Sequence, residues 1–359
     1  MSSGRAFWGF VAACVLALAA IVGQSYLTYR AVVRVDAPDA VAAMPASHAA
    51  ILASQMSQAS SKPAPQPLDY PRYASVAQAA ALLSDSDPVV LLEDDAGGIV
   101  FPLSSLERYE VVNTTINGRP ATMSYCATSR SAVAYWGTTA GLTTSFVPTR
   151  MYVDNNLIMQ DRATGSVWSQ MLGVALRGHL AGVSLDRIAV YPTTWVQARV
   201  NYPDAMVLTS GVASDSATPK PYVAQLPTGH TLTFIADTRL TPAEDVVAVL
   251  AGSEAAAVPV KAVIQRHVVS LEAGGKHLVA IADPKIGSVR VFDRDMDGSS
   301  VMLDAVGGMI LDRTTRSVWD EHGRCISGPL KGLILKQFVS LDCMWSAWSA
   351  FFPNSAVFK

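Results

Sequence analysis

Short apolar segments rich in β-branched and aromatic residues recur along most of the chain and predict its strands. Gly, Pro or Asn bounds these segments, which is typical of strands that end in turns. The clearest are EVVNTTI, ATMSY and SAVAYW in the first half, and HLVAIA and SVRVF in the second. The pattern predicts a mainly β fold with a few short helices, in the α+β class.

Three segments carry the signals of a helix instead. Residues 241–250 begin TPAED, which offers a Thr N-cap, a Pro at the first helical position and acidic residues in the first turn. Residues 193–201 and 343–350 are short, contain Trp and end near a Pro. We therefore expect helices at these three places.

An uncharged apolar run, AFWGFVAACVLALAAIVG, occupies residues 6–23 and is just long enough for a helix that crosses a bilayer. We interpret residues 1–30 as an N-terminal membrane anchor or signal segment. A cleaved signal peptide and a lipoprotein signal ending at Cys14 are the alternatives. All three interpretations carry the bulk of the chain out of the cytoplasm. The uncleaved anchor, which we favour, predicts a protein of the inner (cytoplasmic) membrane whose bulk lies on the periplasmic side.

The segment that follows has the composition of a stalk. Residues 31–70 are rich in Ala, Pro and Ser, and SKPAPQP at 61–67 is typical of an extended spacer. Part of 41–58 has helical composition, but Pro45 interrupts it.

The remaining chain contains one pattern twice. Val89-Val90 and Val246-Val247 lie 157 positions apart, and the segment DRATGSVW returns 151 positions later as DRTTRSVW. We therefore predict a tandem duplication of one β-rich unit. The first copy covers residues 71–208, the linker 209–243 and the second copy 244–359.

Composition limits the possible partners. The 359 residues suffice for about two domains. Only 16% of them are charged while 50% are apolar, which fits a membrane segment or extensive cores. The net charge of −2 argues against the broad basic surface typical of nucleic-acid binding. Besides the membrane, we therefore expect a small-molecule ligand or a partner protein, and no nucleic acid.

Comparison of the two copies separates residues that the fold needs from candidates for a site. Asp161, Arg162 and Trp168 return in the second copy, which favours a structural role. Asn113 and Cys126 do not return, so we consider them better candidates for a site.

Cys126 ends an apparent strand. A thiol there is a nucleophile, a soft-metal ligand, a redox group or a buried packing residue, and the sequence leaves these open. No Cys-x-x-Cys and no closely spaced His pair accompanies it, so Cys126 is only a weak metal candidate.

Cys325 and Cys343 lie in the second copy. Outside the cytoplasm, two such thiols can form a disulfide, and we state this pairing as a hypothesis.

Four acidic residues of the second copy follow the spacing of a calcium loop: Asp293, Asp295, Asp297 and Asp304. Asp replaces the usual final Glu, and the flanking segments have strand patterns. A hairpin turn at Asp297-Gly298 explains the same residues, and we favour it.

Several blocks occur in the order found in one prokaryotic family. They are FPLSSLERYEVVN, GRPATMSYC, NNLIMQDRATGSVWSQ, GHLAGVSLD, TTWVQARVNYPDAMVL and SGPLKGLILKQFVSLDCMWSAWSAFFPNSAVF. Over residues 87–358 the chain thus resembles the family catalogued as domain of unknown function 3179. The resemblance implies an extracytoplasmic protein and no particular activity.

Family members often carry Y-C-P-L-C-G where this chain has YCATSR. Cys126 matches the first family Cys, and Ser129 replaces the second, which argues against a two-thiolate metal site or a redox pair. The resemblance also implies one cleft in the first copy, lined by recurrent family positions. These are Asn113, Asn156, Asp161, Arg162, Trp168 and Gln170.

We interpret the chain as a membrane-anchored, periplasm-facing protein with a ligand- or partner-binding cleft near Cys126, Asn113 and residues 161–170. One alternative is a thiol-dependent redox or metal-binding protein, or an enzyme, that uses Cys126. Another is a scaffold subunit of a membrane complex. No G-x-S-x-G, P-loop or dinucleotide fingerprint occurs, so the sequence leaves open whether the protein is an enzyme and leaves any cofactor unknown.

Overall fold

The structure is a computed structural model that describes residues 46–58, 63–94, 97–212, 237–296 and 299–359. Within these ranges no helix is long and apolar enough to cross a membrane. The anchor predicted at residues 6–23 lies outside the described residues, as does most of the linker predicted at 209–243.

The described helices are short. They are α1 (Ala46–Gln55), α2 (Val76–Ala79), α3 (Leu103–Tyr109), α4 (Trp195–Asn201), α5 (Val260–Arg266) and α6 (Trp345–Phe351). Helices α4 and α6 confirm the helices expected at 193–201 and 343–350, the two segments that contain Trp.

Strands form most of the regular structure, so the fold is mainly β with a few short helices. The strands before the predicted linker are β1 (Ser57–Gln58), β2 (Tyr73–Ser75), β3 (Pro88–Leu92), β4 (Ile99–Pro102), β5 (Val111–Ile116), β6 (Arg119–Cys126), β7 (Ser131–Trp136), β8 (Thr138–Thr139), β9 (Leu142–Thr143), β10 (Phe146–Val153), β11 (Asn156–Asp161), β12 (Val167–Ser169), β13 (Ala175–Arg177), β14 (Arg187–Ile188), β15 (Val190–Thr194) and β16 (Met206–Leu208).

The strands after it are β17 (Asp245–Ala251), β18 (Glu254–Pro259), β19 (Val268–Ala273), β20 (Lys276–Asp283), β21 (Ser288–Asp293), β22 (Asp295–Met296), β23 (Ser299–Ser300), β24 (Leu303–Val306), β25 (Met309–Asp312), β26 (Val318–Trp319), β27 (Cys325–Ser327), β28 (Lys336–Gln337), β29 (Leu341–Met344) and β30 (Ala356–Val357). We call β2–β16 the first unit and β17–β30 the second unit.

The three main sheets of the two units share their strand order, except that β2 and the preceding strand β1 each add an edge strand to a sheet of the first unit. In the first unit the orders are β15-β3-β4-β16-β2, β14-β7-β6-β5 and β1-β10-β11-β12-β13. In the second they are β29-β17-β18-β30, β28-β21-β20-β19 and β24-β25-β26-β27. The parallel pair β4–β16 has its counterpart in β18–β30, while the other pairs in these sheets are antiparallel.

The strand prediction succeeds because both faces of the central sheets are buried. In β6 and β7, Cys126, Val133 and Tyr135 face one core, while Met123 and Ala134 face another. All five are at most 4% exposed. Since alternate residues of a strand point to opposite faces, burial of both faces requires a nearly continuous apolar run.

The helix expected at 241–250 is wrong, because most of this segment is strand β17. Thr241 Oγ1 donates to Glu244 Oε2 at 3.0 Å, so the capping signal closes only a turn. From Asp245 onward the chain pairs with β18 on one side and β29 on the other. These two ladders of backbone hydrogen bonds outweigh the local preference for a helix start.

Part of the predicted stalk packs on the first unit. Helix α1 contacts β10 and β13, and β1 pairs with β10. Leu52 is 2% exposed within the core, and Arg177 Nη2 donates to Ala53 O at 3.1 Å.

The two units pack against each other at two junctions with equivalent strands. At the β7–β29 junction, Met344 N donates to Ser129 O at 2.9 Å. At the β15–β21 junction, Thr193 Oγ1 donates to Ile286 O at 2.5 Å. Because β7 corresponds to β21 and β29 to β15 in the sheet orders, the junctions can be compared position by position.

Candidate functional site

Asn156 and Gln170 meet in a polar cluster inside the first unit. Asn156 Nδ2 donates to Gln170 Oε1 at 2.8 Å, and Ser131 Oγ donates to the same oxygen at 2.9 Å. Gln170 Nε2 donates to Ser131 O at 3.1 Å. These three residues are 0% exposed, so the cluster is closed to solvent in this structure.

Cys126 lies beside this cluster, opposite Ser131 in the β6–β7 pair. Its Sγ accepts a hydrogen bond from Leu157 N at 3.3 Å and lies 3.2 Å from Thr128 Oγ1. The residue is 2% exposed. A thiol reagent or metal ion therefore has to displace packed neighbours to reach this sulfur.

Asp161 and Trp168 form a separate buried contact. Trp168 Nε1 donates to Asp161 Oδ2 at 2.9 Å, and Thr164 N donates to Asp161 Oδ1 at 2.6 Å. In the second unit, Thr315 N donates to Asp312 Oδ2 at 2.8 Å. Asp161 and Asp312 thus close equivalent loops in the two units.

Asn113 and Arg162 meet at Asp69, which lies within the predicted stalk. Arg162 donates from Nη1 and Nη2 to the two carboxylate oxygens of Asp69, each at 2.8 Å. Asn113 Nδ2 donates to Asp69 Oδ1 at 2.8 Å. The hydrogen bonds from Arg162 hold the pKa of Asp69 below its ordinary value, against a smaller opposing effect of burial. Nothing in the sequence singled out Asp69.

The structure therefore divides the predicted site residues into separate groups. Cys126, Asn156 and Gln170 lie together in the interior, whereas Asn113 and Arg162 meet at the partly exposed Asp69.

The predicted disulfide is absent, because Cys325 and Cys343 are both free and buried. Strands β27 and β29 belong to different sheets, and the two thiols join different cores. Cys325 Sγ donates to Ser327 O at 3.3 Å.

The acidic residues of the calcium-loop pattern have separate partners. Asp293 accepts from Lys276 Nζ at 3.0 Å, Asp295 lies 3.0 Å from His277 Nδ1, and Asp304 forms an ion pair with Arg313. Asp297 lies outside the described residues, but β22 and β23 on either side pair as a hairpin. Among the residues that the structure describes, no three acidic, His or Cys side chains are grouped to hold a metal ion.

A polar cavity of about 480 Å³ lies at the β15–β21 junction, where the sequence predicts no site. The first unit contributes Glu93, Asp94 and Tyr202 to its wall. The second unit contributes charged, polar and apolar side chains. These are Arg290, Phe292, His322, Arg324, Ile334, Leu335 and Gln337.

Arg290 is the centre of a buried ion-pair network at this cavity. Its side chain is 3% exposed, and its Nη1 and Nη2 donate to the carboxylate of Glu93 at 2.6 and 2.7 Å. Its Nε donates to Asp283 Oδ2 at 2.9 Å, and its guanidinium lies 4.3 Å from the centre of the Tyr191 ring. Burial raises the pKa of Glu93, but the hydrogen bonds and charge of Arg290 outweigh burial and hold this pKa below its ordinary value.

The equivalent positions of the β7–β29 junction carry no charge. The strand registers and helix ends match Val133 with Arg290, Cys126 with Asp283, Leu250 with Glu93 and Phe352 with Tyr202. All four belong to or pack against one apolar core. The same backbone arrangement therefore forms a junction without a counterpart of the Arg290–Glu93–Asp283 network. The charged contact of the β7–β29 junction is a different one, the partly exposed ion pair of Arg130 with Asp245 at 2.7 Å.

Two residues of the ion-pair network were already unusual in the sequence. Arg290 is a charged residue in the middle of the apolar strand segment SVRVF, and Asp283 is the second-unit counterpart of Cys126. Glu93 has no comparable local signal, because it reaches Arg290 across 197 positions of the chain.

Comparison with known proteins identifies a family without assigning an activity. A model of the family described as "Protein of unknown function (DUF3179)" matches residues 65–355. No curated protein and no solved structure matches the chain significantly. Since the match covers most of the chain and agrees with the order of the sequence blocks, the chain belongs to the DUF3179 family.

Proposed function

We propose that this protein binds a small ligand in the cavity at the β15–β21 junction. The observation that carries the proposal is the difference between the two junctions. Buried ion pairs are expensive to form, and the β7–β29 junction holds together without the counterpart of the Arg290–Glu93–Asp283 network. A volume of about 480 Å³ between two units is also typical of small-molecule sites.

A site at Cys126 has less support. The cluster around Cys126, Asn156 and Gln170 is closed, and its polar atoms bind one another. A ligand there requires the first unit to open.

The proposed location is the periplasmic side of the inner membrane, with residues 6–23 as the anchor. The support is the uncharged apolar run in the sequence. A binding protein tethered in this way samples small molecules close to the membrane surface.

The proposed origin of the two units is a tandem duplication. The recurring sequence blocks and the matching strand orders support it. If so, the two junctions descend from the same arrangement of strands. The charged residues at the β15–β21 junction then distinguish it as the one that binds a ligand.

The test is retention of a small molecule by the full-length protein in mild detergent. The protein is incubated with a small-molecule extract of bacterial cells, separated by gel filtration and analysed by mass spectrometry. We expect the wild type to retain a compound that Ile334→Trp excludes, because Ile334 lines the cavity and the larger ring fills it.

The matched control is Ile326→Trp, since Ile326 is 52% exposed and does not line the cavity. It should retain the compound as the wild type does. Equal retention by both variants, or no retention by the wild type, contradicts the proposal.

A further inference from the structure

We propose that the ligand of the β15–β21 cavity is a small zwitterion with an apolar group, of the chemical class of the aliphatic α-amino acids. This inference rests on the proposed function and names the ligand class for the same cavity. It follows from three features of the wall: acidic residues on one unit, basic residues on the other, and apolar side chains beside them.

The acidic part of the wall attracts a cationic group. Arg290 is the single guanidinium between two carboxylates, those of Glu93 and Asp283, so this buried network carries one excess negative charge. Asp94 adds a further carboxylate from the first unit. In a partly buried site, Coulomb interactions are stronger than in bulk water, so an ammonium group is favoured near Glu93.

The basic part of the wall offers a site for a carboxylate. The backbone N of Arg324 donates to Asp320 Oδ1 at 2.9 Å, which fixes the turn that carries it. The guanidinium of Arg324 has no hydrogen bond or ion pair to any residue that the structure describes. An unpaired guanidinium at the mouth of a cavity can bind a carboxylate with two hydrogen bonds. His322 lines the same wall and adds a polar ring beside it.

Apolar side chains lie next to this arginine. Arg324 and Ile334 form an antiparallel bridge, so their side chains are neighbours on the same face. Ile334 is 64% exposed, although it lines the cavity together with Leu335 and Phe292. An aliphatic group that covers Ile334 removes this apolar surface from water.

The first unit shows how the cavity arises. In the first unit, Val174 and Ser184 form an antiparallel bridge. This bridge is the counterpart of the one between Arg324 and Ile334 in the second unit. Val174 and Leu172 are each 4% exposed and fill the core. At the equivalent positions the second unit has Arg324 and His322, which line an open space instead.

Three probes of similar size separate the possible charge requirements: leucine, hexanoate and hexylamine. Their affinities for the full-length protein in mild detergent are measured by isothermal titration calorimetry. We expect leucine to bind about tenfold or more tightly than either probe that carries a single charge, because only leucine matches both halves of the wall. Arg324→Gln should weaken leucine binding by about tenfold or more and leave hexylamine binding unchanged.

The matched control is Arg316→Gln, because Arg316 is exposed and does not line the cavity. It should bind leucine as the wild type does. Hexanoate or hexylamine binding as tightly as leucine overturns the zwitterion class, and so does an Arg324→Gln variant of unchanged leucine affinity. If leucine does not bind while the extract compound is still excluded by Ile334→Trp, the ligand class is wrong and the proposed function stands. If both experiments fail, both proposals fall.

Discussion

At the scale of single residues, Glu110 illustrates how the fold alters the chemistry of a side chain that the sequence leaves unremarked. It follows α3, and its Oε2 is buried without a hydrogen-bond partner among the described residues. The nearest cation, Arg150, lies 3.9 Å from Oε1. Burial raises the pKa of Glu110 from 4.5 to about 7, and the charge of Arg150 lowers it only in part.

This pKa predicts a pH dependence of stability. Between pH 4.5 and about 7 the folded chain keeps a proton on Glu110 that the unfolded chain releases, so the free energy of unfolding falls as pH rises through this window. Glu110→Gln should match the wild type below the window and exceed its stability by about 1 to 3 kcal/mol above it. Urea unfolding from pH 4 to 8 measures this difference. Glu272→Gln, an exposed glutamate on β19, is the control, and a constant difference for Glu110→Gln would refute the prediction.

The buried thiols give a second prediction at this scale. Cys126, Cys325 and Cys343 are at most 3% exposed and free. In the folded protein they should react slowly with a thiol reagent, and denaturation without reductant should release all three. A peptide that links Cys325 to Cys343 in a non-reducing digest would contradict the structure. Fast labelling of Cys126 in the folded protein would favour the alternative of a thiol-dependent function.

At the scale of elements, local sequence patterns predicted two helices and the five strands β5, β6, β7, β20 and β21. SAVAYW and SVRVF became β7 and β21 because each has the apolar continuity that a doubly buried strand requires. The signal TPAED failed because the following residues pair on both sides in β17, a tertiary effect that a capping pattern does not contain.

Helix α1 provides a prediction for an element that the sequence placed in a stalk. Leu52→Ala should lower the free energy of unfolding by about 2 to 5 kcal/mol, because Leu52 is 2% exposed in the core of the first unit. Ile51→Ala, at a neighbouring position that is 56% exposed, should change it by less than about 0.5 kcal/mol. Urea unfolding compares the two. Equal effects would mean that α1 does not pack on the first unit in solution.

At the scale of the whole molecule, the second junction repeats the arrangement of the first with different chemistry. The Arg290 network joins residues of both units, and its apolar counterparts at the β7–β29 junction are part of one core. Replacing the residues of the Arg290 network with their counterparts from the β7–β29 junction therefore tests whether the network serves ligand binding or the stability of the fold.

Arg290→Val alone should lower the free energy of unfolding by about 3 to 5 kcal/mol, because it leaves Asp283 buried without its guanidinium. Adding Glu93→Leu, Asp283→Cys and Tyr202→Phe copies the residues of the other junction and should recover at least half of this loss. The fourfold variant should no longer retain the extract compound. Thermal and urea unfolding measure the recovery, and a fourfold variant less stable than Arg290→Val would show that the charges are needed by the fold itself.

The sequence by itself determined the five strands β5, β6, β7, β20 and β21, the two Trp-bearing helices and the family, because these depend on local periodicity and on the order of blocks. It also showed that Cys126 does not return in the second copy. Only the tertiary structure decided that the Cys126 cluster is closed and that an open cavity lies elsewhere. The physical reason is distance along the chain: Glu93 and Arg290 are 197 positions apart, and only the packing of one unit on the other brings their charges together.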